Sequence, residues 1–156
     1  METEWTVERA LNLALRKEEE SIQLYRSAQE TLIKYPSSKA FLQDIIKEEE
    51  KHREKILQIL KDPALLEEVG QGKAKIQDLK IVDYLEDVPL SPDADYQQIL
   101  IFAGKREKTA HDFYMWFANR NQGTKMYDLF IKLAQEELKH KLQFEKEYDD
   151  IVLTSK

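Results

Sequence analysis

Apolar positions recur every three to four residues over long stretches of this chain, the spacing that gathers side chains on one face of a helix. Four such stretches stand out. The first runs from about Thr6 to Lys34 and stops at "YPSS", where Pro36 prevents continuation and Ser37 or Ser38 can cap the next helix. The second runs from there to about Lys61 and ends at Asp62-Pro63. The third begins near "LSPDADY", with Ser91 as N-cap and Pro92 at the first helical position, and ends near "NRNQG". Thr124 caps the fourth, which reaches about Asp150. Between the second and third lie residues 62–91, where "PALLEEVG" and "IQDLKIVDYLED" are candidates for short helices. The other two connections are tight, so helices one and two are antiparallel neighbours, as are three and four. The pattern predicts an all-α fold: a four-helix bundle with one long crossover connection between helices two and three, in a single domain over residues 1–156.

Within each helix the buried positions form two interleaved rows with a spacing of seven. Helix one carries Leu11, Glu18, Tyr25 and Leu32 beside Val7, Ala14, Ser21 and Ala28. Helix two carries Leu42, Glu49 and Ile56 beside Ile45, His52 and Ile59. Helix three carries Leu100, Glu107 and Tyr114 beside Ala103, Ala110 and Phe117. Helix four carries Phe130, Glu137 and Phe144 beside Leu133, His140 and Glu147. In every helix a glutamate interrupts an apolar row near the middle. Helices two and four add a histidine three residues on, one turn along the same face.

The halves repeat each other. A shift of 88 or 89 residues places Glu18 on Glu107, Tyr25 on Tyr114, Glu49 on Glu137 and His52 on His140. The stretches "EEEKH" (48–52) and "EELKH" (136–140) share the form Glu-Glu-x-Lys-His. Internal similarity of this kind predicts a pseudo-two-fold bundle, in which four carboxylates and two imidazoles converge on one core. Four bare anions cannot stand there. An isolated buried carboxylate is costly, and neighbouring ones raise each other's pKa and take up protons. The Lys and Arg residues are expected on the outer faces, too far away to neutralise them. Two divalent cations would match four negative charges. A Glu from each of two helices, plus Glu-x-x-His from each of the other two, is the ligand set of di-iron and di-manganese carboxylate bundles. Carboxylate and imidazole ligands suit iron or manganese.

Composition narrows the field. The chain of 156 residues suits one domain with one core, and only 4 Gly and 4 Pro leave few places for a helix to break. Its net charge of −6 argues against a nucleic-acid partner, which calls for a basic face. The absence of cysteine excludes disulfides, zinc ribbons, thiolate iron centres and cysteine nucleophiles. No apolar run approaches the roughly 18 residues of a membrane span. The acidic start "METEWTVERAL" has no apolar segment of a secretory signal. The expectation is a soluble cytoplasmic protein with no membrane or nucleic-acid partner.

Several residues have a plainer reading beside the functional one. Glu19, Glu20, Glu48, Glu50, Glu54 and Glu136 lie off the core rows and read as solvated surface. Tyr25 and Tyr114 are either core aromatics or hydrogen-bond donors to the carboxylates seven residues before them. Ser21 and Ala110 either leave room for a small oxidant or permit close helix packing. His111, four residues after Glu107, reads as packing or as an outer partner of the metal ligands. Trp5, Phe113, Trp116 and Tyr148 read as packing or interface residues.

The segments "KEEESIQLY" (17–25), "EEEKH" (48–52), "REKTAHDFY" (106–114) and "EELKH" (136–140) resemble, in order, the four helices of the rubrerythrin-like branch of the ferritin-like superfamily, over nearly the whole chain. The resemblance implies a ferritin-like bundle with Glu18, Glu49, His52, Glu107, Glu137 and His140 as ligands of a dinuclear iron site. The sequence departs from the family in two places. Many rubrerythrins append a cysteine-ligated rubredoxin domain that feeds electrons to the iron, whereas this chain has no cysteine, so an external electron donor is implied. Rubrerythrins also tend to carry a further glutamate one turn after the helix-three ligand, where this chain has Ala110.

The favoured expectation is an oxidoreductase with two iron ions, manganese being the alternative, that reduces a small-molecule oxidant, peroxide or O₂. Two other classes share the same site: an iron-handling or iron-sensing protein without turnover, and a helical interaction domain whose metals are structural. Related bundles often form dimers, which makes a homodimer with Trp116 at its interface a further expectation.

Overall fold

The computed structural model describes residues 6–31, 36–70, 75–87, 90 and 93–153. Four long helices carry the fold: α1 (Val7–Thr31), α2 (Pro36–Lys61), α3 (Tyr96–Asn119) and α4 (Lys125–Tyr148). The expected end of helix one at Lys34, the row position Leu32 and the aromatic Trp5 lie outside the described residues. α2 begins on Pro36, whose missing N–H suits a first helical position, so Ser37 and Ser38 lie inside the first turn and do not precede it. α3 begins later than expected. Its N-cap is Asp95, whose carboxylate accepts from the Gln98 N–H at 2.8 Å while the Gln98 side chain accepts from the Asp95 N–H at 2.9 Å. This reciprocal box satisfies two backbone donors at the helix start. The expected cap at Ser91 and Pro92 lies outside the described residues. Thr124 caps α4 as expected, accepting from the Tyr127 N–H at 3.2 Å. Gly123 ahead of it holds φ at +80°, a left-handed turn that glycine adopts without a Cβ clash.

The mid-helix glutamates divide the interior into two apolar clusters. One gathers Leu11 and Ala14, Ile56 and Ile59, Tyr114 and Phe117, and Phe130 and Leu133. The other gathers Ile22 and Tyr25, Leu42 and Ile45, Leu100 and Ala103, and Phe144 and Tyr148. α1 and α4 therefore run from the first cluster to the second, whereas α2 and α3 run from the second to the first. Since α2 and α3 point the same way, residues 62–95 must return along the length of the bundle. The fold is thus the expected all-α, ferritin-like arrangement with one crossover.

The described residues of the crossover are mostly irregular. Asp62 caps a 3-10 turn at Pro63–Glu68, and the second candidate segment forms only a single 3-10 turn at Val82–Tyr84. Several contacts hold it against the helices, two of them buried in the bundle's flank. Val82 is buried against Gly104 of α3, where a Cβ would come within 2.7 Å of a Val82 methyl. Lys141 of α4 is fully buried and ion-pairs with Asp78 at 2.6 Å and Asp83 at 3.0 Å. This corrects the expectation that every Lys and Arg lies on an outer face. Among the described residues no helix is long and apolar enough to cross a membrane.

Candidate metal centre

The six residues singled out from the repeat meet in one layer between the two apolar clusters. Glu18, Glu49, Glu107, Glu137 and His140 are buried, and the His52 side chain keeps 15% exposure. Their ligand atoms form two groups within which every atom lies no more than 4.8 Å from the others: Glu18, Glu49, His52 and Glu137, and Glu49, Glu107, Glu137 and His140. The groups share Glu49 and Glu137. Each is completed by one further carboxylate and one imidazole, so the two-fold repeat of the sequence is repeated in space.

Both imidazoles turn the same edge inward. His140 Nδ1 lies 2.6 Å from Glu49 and 3.8 Å from Glu107, and His52 Nδ1 lies 3.8 Å from Glu18 and from Glu49. The rings stack with centroids 5.7 Å apart. The tyrosines cross between α1 and α3 in reciprocal fashion. Tyr25 donates to Glu107 at 2.6 Å and Tyr114 donates to Glu18 at 3.2 Å. Burial and the neighbouring carboxylate charges push both phenols well above their ordinary range, so they remain O–H donors.

The carboxylates divide by position. Burial, followed by the charges of the other glutamates, pushes the shared pair Glu49 and Glu137 well above the usual carboxylate range. Burial also acts upward on Glu18, yet the proximity of His52 and Glu49 and the His52 charge bring it down to about 2. Glu107 is lowered in the same way, burial being outweighed by Glu137, His140 and Tyr25. Burial acts downward on the imidazoles but is outweighed by carboxylates, which lift His52 to about 10 and His140 well above its ordinary value. Without metal, the shared glutamates and the imidazoles are thus biased toward their protonated forms, and cations are the alternative source of positive charge for the layer.

Hydrogen bonding separates this layer from an ordinary buried ion network. Eight buried side-chain N or O atoms among the described residues lack a hydrogen-bond partner. Seven of them belong to these six residues: one oxygen each of Glu18, Glu107 and Glu137, both oxygens of Glu49, and Nδ1 of each histidine, the 2.6 Å approach of His140 Nδ1 to Glu49 being a close ion pair without hydrogen-bond geometry. Unsatisfied buried polar atoms are rare because each costs free energy. Here they are the donor atoms a pair of hard or borderline metal ions would take. The residues present fit such a pair.

A comparison with protein-family models matches Rubrerythrin over residues 9–148. The chain belongs to the rubrerythrin family. That family implies a di-iron centre, and the buried carboxylate–imidazole layer is where this member has the groups to hold one. No curated protein and no solved structure matches the chain.

Glu48 and Glu136, expected as solvated surface, are only partly exposed, and each faces the outer edge of a histidine from the opposite half. His140 Nε2 lies 2.6 Å from Glu48, and His52 Nε2 lies 3.5 Å from Glu136. Contact with the imidazoles lowers both carboxylates. The available signal was the doubled glutamate in "EEEKH" and "EELKH", whose first member repeats as faithfully as the second. His111 is not brought to the layer. It is partly exposed and its Nδ1 lies 3.1 Å from Asp112, so its expected place as an outer partner of the ligands is not what the structure shows.

Proposed function

We propose that this protein is a di-iron carboxylate oxidoreductase that reduces peroxide or O₂ with electrons from an external donor. The observation that carries the reading is the pair of four-residue groups joined through Glu49 and Glu137. When bound, two iron ions would supply reversible one-electron steps at each metal and a place for an oxidant's oxygens to bind. Manganese is the alternative for the same donors.

The chain's own residues prepare that site. Glu48 accepts from the Nε2–H of His140 and Glu136 faces that of His52, which leaves each Nδ1 lone pair facing inward. Tyr25 and Tyr114 hold one oxygen each of Glu107 and Glu18 and leave the other free. The apolar clusters on either side exclude bulk water. Ser21 and Ala110 line a cavity that reaches Glu137, a path for a small oxidant. A cytoplasmic setting goes with this reading because the reducing equivalents come from outside the chain.

Anaerobic ferrous loading followed by peroxide tests the proposal. The expected result is about two iron per chain, near-ultraviolet ferric absorption on oxidation, and repeated turnover when a reductant is added. Iron that binds and oxidises once, and is then released or accumulates, would assign the protein to iron handling. Metal that leaves the absorption unchanged with peroxide while raising the melting temperature would assign it a structural role.

A further inference from the structure

The seam between α1 and α3 is sparsely packed beside the α1/α2 and α3/α4 seams. It holds a cavity of about 320 Å³ lined in part by Lys17, Ser21, Lys105, Arg106, Ala110 and Glu137. Its floor is the shared glutamate of the metal layer, and Tyr114 and Phe102 form part of its wall. The two small side chains account for the space, since each stands one turn beyond an inward glutamate, Glu18 or Glu107. The volume exceeds what two oxygen atoms require. Pockets for small organic ligands begin at about 300 Å³, whereas a water molecule occupies about 30 Å³.

The rim is basic, although the chain's net charge is −6. Three cations from two helices meet there. Lys105 is answered by Asp87 at 2.7 Å and by the Leu85 carbonyl. Arg106 reaches across the seam, donating from Nε to the Ser21 hydroxyl at 3.1 Å and lying 3.5 Å from the exposed Glu20. Lys17 has no carboxylate partner among the described residues, its ammonium lying 5.0 Å from the centre of the Phe113 ring. The rim therefore has one cation in excess, together with a guanidinium whose present hydrogen bond is to a neutral hydroxyl. A guanidinium gains more from a carboxylate than from a hydroxyl.

We propose that this cavity binds a small organic carboxylate, its anionic group between Lys17 and Arg106 and its body along Phe102 and Ala110 toward the metal layer. The inference deepens the oxidoreductase reading and rests on it. It adds an organic ligand at the site, beyond the oxidant. Binding requires Arg106 to exchange Ser21 for the ligand.

Calorimetric titration of the metal-loaded protein with benzoate, and with neutral benzamide as control, tests it, with metal content measured on the same samples. Saturable benzoate binding at one site per chain, no benzamide binding, and about tenfold weaker benzoate binding in Lys17→Gln and in Arg106→Gln at unchanged metal content would support the proposal. Absence of benzoate binding to metal-loaded protein overturns it. So does equal binding by the two variants, which would put the carboxylate directly on the metals, or equal binding of benzamide. A wild-type sample that takes up no metal sinks the di-iron reading instead, and the same titration on that sample still decides whether the basic rim holds a carboxylate.

Discussion

Two buried charged clusters lie close together on α4, and they differ in kind. His140 and Glu137 belong to the mid-bundle layer, where seven donor atoms have no hydrogen-bond partner. Lys141, the next residue, belongs to a network in which no buried side-chain polar atom lacks a partner. Its ammonium meets Asp78 at 2.6 Å, Asp83 at 3.0 Å and Glu145 at 3.3 Å, and Glu145 also accepts the Val82 N–H at 3.0 Å. Burial of charge is common to both, so burial alone does not mark a functional site. What separates them is whether the protein completes its own electrostatics. The Lys141 network is closed and fixes the crossover to the bundle. The layer is open, its inward atoms left without hydrogen bonds.

Substitution at a shared ligand breaks the open cluster most severely. Glu49→Ala or Glu137→Ala removes a donor from both four-residue groups at once. Bound iron should fall from about two per chain to fewer than one, and peroxide-dependent turnover should disappear. Metal analysis and stopped-flow absorption check this. Retention of both metals would show that the shared geometry does not hold them. The matching change in the closed cluster is Lys141→Met, which leaves Glu145 buried without its cation. Removing one partner of a buried pair costs about 3–5 kcal/mol, to be read from chemical denaturation. Metal stoichiometry should be unchanged, because Lys141 touches none of the six donors. The double variant Lys141→Met/Glu145→Leu should recover part of the loss, since it removes the orphaned charge as well.

The outer carboxylates give a smaller effect. Glu48→Gln should weaken metal binding by about 10–100-fold, the usual consequence of removing a carboxylate behind a metal-binding histidine. Glu136→Gln should weaken it less, because the Glu136–His52 separation is 3.5 Å against 2.6 Å for Glu48–His140. Competition with a chelator of known affinity checks both. Equal effects would show that the two halves are more alike than the distances suggest.

Much of this contrast can be read from the sequence, but not all of it. Rows with a spacing of seven bring Glu18, Glu49, Glu107 and Glu137 inward because helical periodicity alone decides which face is buried. The tyrosines come from the same rows. Glu48 and Glu136 do not, because each meets a histidine on another helix, and a helix's own periodicity does not register what a neighbour places beside its flank. Lys141 escapes for a related reason. It lies off the core rows of α4 and would be exposed on a bare bundle, but the crossover covers it. The crossover's path depends on one close approach, Val82 to Gly104, and on a few ion pairs, with no periodic pattern to reveal it. The start of α3 shows competition between local signals. The sequence reading puts the cap at Ser91 in "LSPDADY", but the helix begins at Asp95, which is followed by a glutamine in register to close the box.

The two clusters should also fail in different pH ranges, the smallest of these effects. In the closed network the Asp78 carboxyl is held below its usual 3.8; burial acts upward on it but is outweighed by Lys141 and the Lys80 backbone. A depressed acid stabilises the fold above its unfolded pKa and loses that contribution as pH falls through the folded value, here below about pH 4. Lys141 is raised above 10.5 because Asp78, Asp83 and Glu145 outweigh its burial, so its contribution is present below that pH and is lost as pH climbs through the higher folded value. Between these limits the network should be insensitive to pH. The chelator-stripped layer behaves oppositely. Glu49, Glu137 and both histidines are raised, so the folded state binds more protons than the unfolded chain and stability falls as pH rises from about 5 toward 9. Coupling softens the slope, since a proton lost from one member is partly taken up by its neighbours. Metal reverses the trend, because bound cations compete with the same protons and hold better as pH rises. Melting temperatures of stripped and loaded protein at pH 5.5 and 8.5 should therefore diverge with pH. Parallel changes would mean that protons and metal do not contend for one set of donor atoms.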